Sequence, residues 1–344
     1  MVQEVNWATL KHIASDQVEE ITQRAQLIER IDAIGPVGRR ALAVSMHLSE
    51  REVRAAAESL REEGLISLNA SGMQLSPMGL KILPEVRQLC RMISGIHALE
   101  EELANRLGLE RLSIVPGDAD ISHVVLIDLG RATALFVKHA LHDNMILAIS
   151  GGSTMSELAR AMTPSAKNLK VVPARGGFGR MAQMQANAVA GDLAQRIQAD
   201  CHLMHLPEGM DEDTLHKAAK LPGVRATLAL MRNADIVLHG VGRADDMAQR
   251  RGMSLALRRY LQKNGAVGEA LGDFFDIKGH VVYQTPSLSQ ELSSGKPDGI
   301  LIMSAAGERK AEAVLAAVRW HKPWALVLDE GVSRKMMALL SKDE

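Results

Sequence analysis

At 344 residues the chain is too long for one ordinary core, and a small domain of under about 90 residues beside a large α/β unit is its natural division. Hydrophobic residues make up 47% of it and aromatic residues 3%, with 18 methionines, so its cores are built from Ala, Leu, Val, Ile and Met in a soluble, globular composition. A formal charge of −1 excludes nucleic-acid binding through a basic tail and leaves only a local basic cluster for that work.

The start, Met1 to Trp7, has no basic cluster followed by an apolar run, and no later segment is long and apolar enough to cross a bilayer, so a cytoplasmic protein with no membrane contact is expected. Apolar residues at helical spacing over Ala25–Ile34 predict a first helix that stops at Gly35-Pro36. Arg39–Met46 reads as a short helix and His47-Leu48-Ser49 as a turn. Ser49-Glu50-Arg51-Glu52 then has the form of a capping box, opening a helix whose buried stripe is Val53, Ala56, Ala57 and Leu60 and which Gly64 ends. Leu65–Leu68 and Met73–Leu75 around Asn69–Gly72 predict a strand pair, the wing of a winged helix-turn-helix, with Ser76–Gly79 closing the module. Arg51 and Arg54 stand at the helix end that enters the major groove, where arginine bonds guanine bidentately, and Arg39 and Arg40 are placed for phosphates. A solvated charged helix would carry the same residues; order, turn, cap and wing together favour operator DNA as partner.

Residues 1–82 form this reader, 83–108 a linker helix and 109–344 an effector domain. In the linker Val86, Leu89, Ile93, Ile96, Leu103 and Leu107 fall on an a/d seam. Such a helix either pairs with its twin in a homodimer or tetramer, setting two readers on two half-sites, or docks on its own C-terminal domain. The acidic run Glu100–Glu102 and the pair Asp245-Asp246 read as solvated faces.

Beyond residue 110 short apolar runs alternate with helical stretches, the pattern of a doubly wound, mostly parallel sheet. The expected strands are Leu112–Val115, Met145–Ser150, Lys170–Pro173, His202–His205, Ile236–Gly240, Gly299–Met303 and Ala325–Asp329. Cys90 and Cys201 lie far apart in apolar surroundings and read as reduced, buried thiols. Cys201-His202-Leu203-Met204-His205 holds metal-ligand residue types, but alternation along a strand would turn His202 away from the other two, so no metal is expected.

Ligands of such sheets lie beyond the carboxyl ends of the strands. There Gly151-Gly152-Ser153-Thr154 offers amides, hydroxyls and a helix start, a cradle for an anion, although a tight turn with a hydroxyl cap would look the same. The loop is neither a nucleotide-triphosphate loop nor a nucleophile elbow, and Gly240-Val241-Gly242 lacks the third glycine of a dinucleotide fingerprint. Arg175, Arg243, Arg250, Arg251 and Lys310 add cations after other strands. Glu269 or Asp273 could serve as a base, which keeps open an enzyme, a sugar-phosphate isomerase or deaminase carrying an accessory module. No acid and base pair at a compelling spacing supports it. A protein-docking role for the N-terminal helices is a third reading.

Taken in order, Ser150–Met155, Pro173–Gly177, Gln185–Asn187, Gly240–Ala244, Gly265–Leu271 and Leu326–Glu330 behind a winged module resemble the SorC family of sugar-responsive bacterial regulators over nearly the whole chain. The resemblance implies a repressor of a glycolytic operon, with no cofactor and no catalysis, whose effector domain is similar in fold to sugar-phosphate isomerases and deaminases. It implies fructose 1,6-bisphosphate as allosteric ligand. One phosphate would lie on Gly152, Ser153, Thr154 and Lys310 beside Gly151, and the other would meet Arg175 and Arg250. Gln185 and Glu269 would bond sugar hydroxyls or support those cations. The N-terminal reader is closer to the type carried by glycolytic regulators of the family than to the commoner one.

Overall fold

The computed structural model describes Leu10 and residues 12–46, 48–93, 95–177, 182–206, 209–287, 292 and 299–342. The first seven residues, His47 of the expected turn, and Phe178 and Gly179 of the Arg175 loop lie outside these. The chain divides into two compact units, Met1–Leu99 and Glu100–Glu344.

In the first unit α1 (Ser15–Ile34), α2 (Arg39–Met46) and α3 (Glu50–Glu62) close over Leu27, Ile31, Leu42, Val53 and Leu60. The start of α3 is fixed chemically. Ser49 Oγ accepts from the Glu52 amide at 3.2 Å, and the Glu52 carboxylate accepts from the Ser49 amide at 2.7 Å. These two bonds hold the Glu52 carboxyl below its usual range. The wing is an antiparallel pair, β1 (Ile66–Asn69) and β2 (Gly72–Leu75), whose turn is held by Asn69 Oδ1 accepting from the amides of Ser71 and Gly72, each at 3.0 Å.

The linker departs from expectation. Ser76-Pro77 does not close the module but opens α4 (Pro77–Ile93), with Ser76 Oγ accepting from the Gly79 amide at 3.0 Å; proline is at home in a first turn, where its missing N–H has no partner to lose. The seam is not one helix. Gly95 adopts φ +69°, and α5 (Ile96–Leu107) starts afresh. Leu83, Val86 and Cys90 of α4 belong to the first unit's own core, and Arg87 pairs with Asp32 of α1 at 2.8 Å. Glu100 is no solvated residue either: it is 9% exposed, and its carboxylate accepts from the Ile114 amide at 2.6 Å.

The second unit is built on seven parallel strands in the order β3-β13-β12-β7-β4-β5-β6: β3 (Leu112–Val115), β4 (Ile146–Ile149), β5 (Lys170–Pro173), β6 (Asp200–Cys201), β7 (Ile236–His239), β12 (Ile300–Ala305) and β13 (Ala325–Asp329). Apart from the exposed edge strand β6, their runs are mostly apolar because both faces are covered. One face packs α6 (His123–Ala140), α7 (Ser153–Ala161) and α8 (Ala186–Ile197), and the other packs α10 (Pro222–Arg232), which follows the short α9 (Glu212–Ala218).

The edge strand differs from the expected His202–His205. Pairing with β5 ends at Val171↔Cys201, leaving Cys201 exposed, against the expected buried thiol, while Cys90 is buried. Among the described residues no group of three or more His, Cys, Asp or Glu is placed to hold a metal ion, and no helix is long and apolar enough to cross a membrane.

A second sheet was not expected at all. It is antiparallel, in the order β11-β10-β9-β8, from β8 (Gly242–Arg243), β9 (Ala266–Ala270), β10 (Asp273–Asp276) and β11 (Val281–Gln284). Between β8 and β9 run α11 (Ala244–Arg250) and α12 (Leu255–Lys263), while α13 (Ala311–Trp320) and α14 (Glu330–Leu340) flank β13 in the chain.

Candidate functional site

Chain direction across the main sheet reverses between β4 and β7, because β4 continues to β5 on one side while β7 continues to β12 on the other. The loops leaving adjacent strands diverge there and open a crevice. A cavity of about 580 Å³ occupies it. Ser150 links its two sides, with Ser150 Oγ accepting from the Gly240 amide at 3.4 Å.

Both glycines of the first loop are required. A Cβ on Gly151 would stand 2.4 Å from the Met184 carbonyl oxygen, and Gly152 adopts φ +109° as it caps α7. The first amides of α7 have no partner inside the helix and carry the positive end of its dipole, and this helix start lies at the cavity wall. Ser153 and Thr154 line the cavity beside them.

Cations reach the cavity from three further segments: Arg175 after β5, Arg250 at the end of α11, and Lys310 after β12. Among the described residues no carboxylate pairs with Arg250 or Lys310. Burial lowers the Lys310 ammonium below the usual lysine range and Arg250 lowers it further, against the pull of Asp120, Asp329 and Asp246. Arg175 is 5% exposed and stands 3.6 Å from Glu269, whose carboxylate also bonds Arg251 and accepts from the Gly272 amide at 2.7 Å. Arg251 lies behind Glu269, with a second bond to Thr285 Oγ1 at 3.0 Å.

Eight of the nine expected effector residues therefore line one cavity: Gly151, Gly152, Ser153, Thr154, Arg175, Arg250, Glu269 and Lys310. Gln185 does not line it. It caps α8, and its Oε1 sits where a Cβ on Gly177 would meet it at 3.1 Å. Asp246, expected as a solvated face, lines the cavity and pairs with Arg309 at 3.6 Å. Its neighbour Asp245 is exposed, as expected, and pairs with Arg243 at 2.8 Å.

The reading of the sequence gave Asp329 no role, although it lies inside one of the quoted motifs. Wholly buried, it accepts from the amides of Ala119 and Gly307 at 2.8 Å and of Val332 at 3.0 Å, tying together the loops that follow β3, β12 and β13. The Gly307 bond sets the turn from which Lys310 projects. Burial pushes the Asp329 carboxyl up while the three amides pull it down.

His239, at the end of β7, is also wholly buried, its Nδ1 3.0 Å from the Gly240 carbonyl oxygen. Burial brings its imidazole from 6.5 down to about 4. The unfolded chain thus takes up this proton at a higher pH than the folded one. The corresponding stability, at most about 3 kcal/mol, is complete above the unfolded value and lost as the pH falls from there towards the folded one. Thermal midpoints measured from about pH 7.5 to about pH 4.5 are expected to fall more steeply in the native chain than in His239→Gln. Parallel slopes would clear His239 of the effect.

In the first unit Arg39, Arg40, Arg51 and Arg54 are all exposed. Arg40 pairs with Glu50 at 3.0 Å and Arg54 with Glu58 at 2.9 Å, whereas among the described residues no carboxylate pairs with Arg39 or Arg51.

Comparison with known proteins accords with this geometry. Residues 21–90 match the family model described as "CggR N-terminal DNA binding domain", and residues 91–338 match that described as "Putative sugar-binding domain". The chain is 32% identical over 329 residues to the central glycolytic genes regulator of Bacillus subtilis, covering 95% of this chain and 97% of that protein. Identity to the central glycolytic genes regulator of Priestia megaterium is 33% over 318 residues, covering 92% and 93%. A crystal structure described as a putative SorC family transcriptional regulator from Enterococcus faecalis shares the fold with a TM-score of 0.65 at 31% identity, covering 70% of this chain and 100% of that one. These relatives are transcriptional regulators and not isomerases or deaminases, and the engagement of Glu269 with two guanidiniums leaves it unsuited to act as a base. The chain belongs to the SorC family of sugar-binding transcriptional regulators and carries the CggR type of N-terminal DNA-binding domain.

Proposed function

We propose that this chain represses a glycolytic operon and is released from its operator by a phosphorylated sugar, fructose 1,6-bisphosphate, bound at the β4/β7 switch point. The observation that carries this reading is the convergence of Lys310, Arg250 and the amide end of α7 on one cavity, with no carboxylate among the described residues paired to either cation. One phosphate sits on Gly152, Ser153, Thr154 and Lys310, and the other meets Arg250 and Arg175. Glu269 holds Arg175 in place. The relatives' role in glycolytic gene control supports the operon class. Release follows by linkage: the sugar weakens the grip on DNA by its differential affinity for the two arrangements of the protein.

Thermal unfolding with millimolar fructose 1,6-bisphosphate tests this. At 100 times Kd a ligand of the native state adds about 2.7 kcal/mol, which raises the midpoint by about 5–10 °C for a unit of this size. A rise with the bisphosphate that exceeds the rise with fructose 6-phosphate is expected. No rise with the bisphosphate would remove it as the effector.

In the reader, Arg51 and Arg54 contact bases, and Arg39 and Arg40 contact phosphates, with two readers joined in a homodimer or tetramer on two half-sites. Arg51→Ala is expected to cost about 1–3 kcal/mol of operator affinity and to relax discrimination at one base pair. Arg39→Ala is expected to weaken all sequences alike and to flatten the salt dependence by about one unit of slope. Unchanged operator affinity in Arg51→Ala, measured by fluorescence anisotropy, would reject its role as a base reader.

A further inference from the structure

The α11 helix has two working faces. Asp246, Met247 and Arg250 face the effector cavity, while Ala244, Asp245 and Ala248 face a second, adjoining cavity of about 520 Å³, and Arg243 lines both. Arginines from three elements meet at this second cavity: Arg243 on β8, Arg258 and Arg259 on α12, and Arg309 on the single turn before α13. Arg243 and Arg309 are held by Asp245 at 2.8 Å and Asp246 at 3.6 Å. Among the described residues no carboxylate pairs with Arg258 or Arg259, and no cation pairs with Glu312, which lines the same space. The rest of the lining includes small and apolar side chains: Ala244, Ala248, Ala266 and Ala313, with Val267 and Leu261.

Four guanidiniums against Asp245, Asp246 and Glu312 leave a small local positive excess, carried by Arg258 and Arg259, in a chain of formal charge −1. Like charges gathered in a concavity repel one another until an anion joins them. The guanidinium fork matches phosphate bidentately, and a carboxylate, which can only accept, suits the hydroxyls of a pentose. Apolar side chains accommodate the face of a ring. We propose that this cavity binds a phosphorylated nucleoside, with its phosphate on Arg258 and Arg259, its ribose hydroxyls on Glu312 and its base over Val267 and Leu261.

Isothermal titration of the full chain with AMP tests the site, with ribose 5-phosphate and inorganic phosphate as separate arms. Saturable binding of AMP is expected, at least tenfold tighter than either simpler anion. The double substitution Arg258→Ser with Arg259→Ser is expected to weaken it at least tenfold, and Lys310→Met, in the other cavity, to leave it unchanged. Should the double variant fail to fold, Glu312→Gln serves instead and is expected to erase the preference for AMP over its 2′-deoxy form. Absence of AMP binding at millimolar concentration overturns the proposal, as does binding lost with Lys310→Met but kept in the arginine variant. Ribose 5-phosphate binding as tightly as AMP overturns the nucleoside assignment. A change of sedimentation by the arginine variant in a chain that binds no AMP would make this face a contact between copies, and overturns it too.

Discussion

Replacing Glu269 by alanine is expected to destabilise the effector unit by about 3–5 kcal/mol, the range for removing one partner from a buried ion pair. The side chains of Glu269, Arg175 and Arg251 are 3%, 6% and 5% exposed, so both guanidiniums would be left charged and out of water. The Gly272 amide would lose its acceptor as well. Arginine does not escape by releasing its proton. Glu269→Gln separates the contributions: its amide oxygen still serves Gly272, but the charge is gone, so a smaller loss is expected. Because Arg175 lines the cavity and Arg251 does not, an anion in the cavity should restore part of the loss in Glu269→Ala. Denaturant unfolding of the three chains, with and without fructose 1,6-bisphosphate, checks this. A loss below about 1 kcal/mol in Glu269→Ala would mean that water or relaxation reaches these arginines and that the triad is not a closed charge balance.

What the sequence made legible follows from which interactions are local. The α3 start was readable because a capping box joins residues three apart. Six strands of the main sheet were readable because buried parallel strands are apolar runs, whereas the short exposed edge strand Asp200–Cys201 gave no such run. The conformation of the Gly151-Gly152 loop was readable because the two glycines precede a helix, and the structure shows the close approach and the left-handed φ that demand them. The small antiparallel sheet escaped notice because β9 and β10 contain Gly268, Glu269, Asp273 and Asp276, residue types that strands disfavour. Glu269 was selected as a site residue, yet its role depends on Arg251, which lies beside Arg250 in sequence and behind Glu269 in space. Nothing local distinguishes the two arginines, since consecutive side chains at a helix end simply point in different directions. Asp329 escaped for a similar reason. Its amide partners at Ala119 and Gly307 are 210 and 22 residues away, and loop-to-loop bonds of that span leave no periodic trace.

Lys310→Met should abolish the response to the sugar while sparing the grip on DNA. The substitution keeps the length and apolar stem of the side chain and removes its charge, so the lost affinity reports the phosphate contact, expected to be worth about 2–5 kcal/mol. The ligand-free protein has no reason to suffer, because the ammonium is disfavoured there by its own burial and by Arg250. The same displacement gives the prediction its pH signature. With the folded value below the unfolded one, the unfolded chain holds more protons between the two, so ligand-free stability rises with pH through that window. A phosphate dianion reverses the preference and draws a proton back onto Lys310. Binding should therefore weaken as the pH climbs through the ligand-free value and be accompanied by net proton uptake. Titrations in two buffers of different ionisation enthalpy measure that uptake directly. Native affinity in Lys310→Met, or identical proton uptake in both chains, would show that the phosphate lies elsewhere in the cavity.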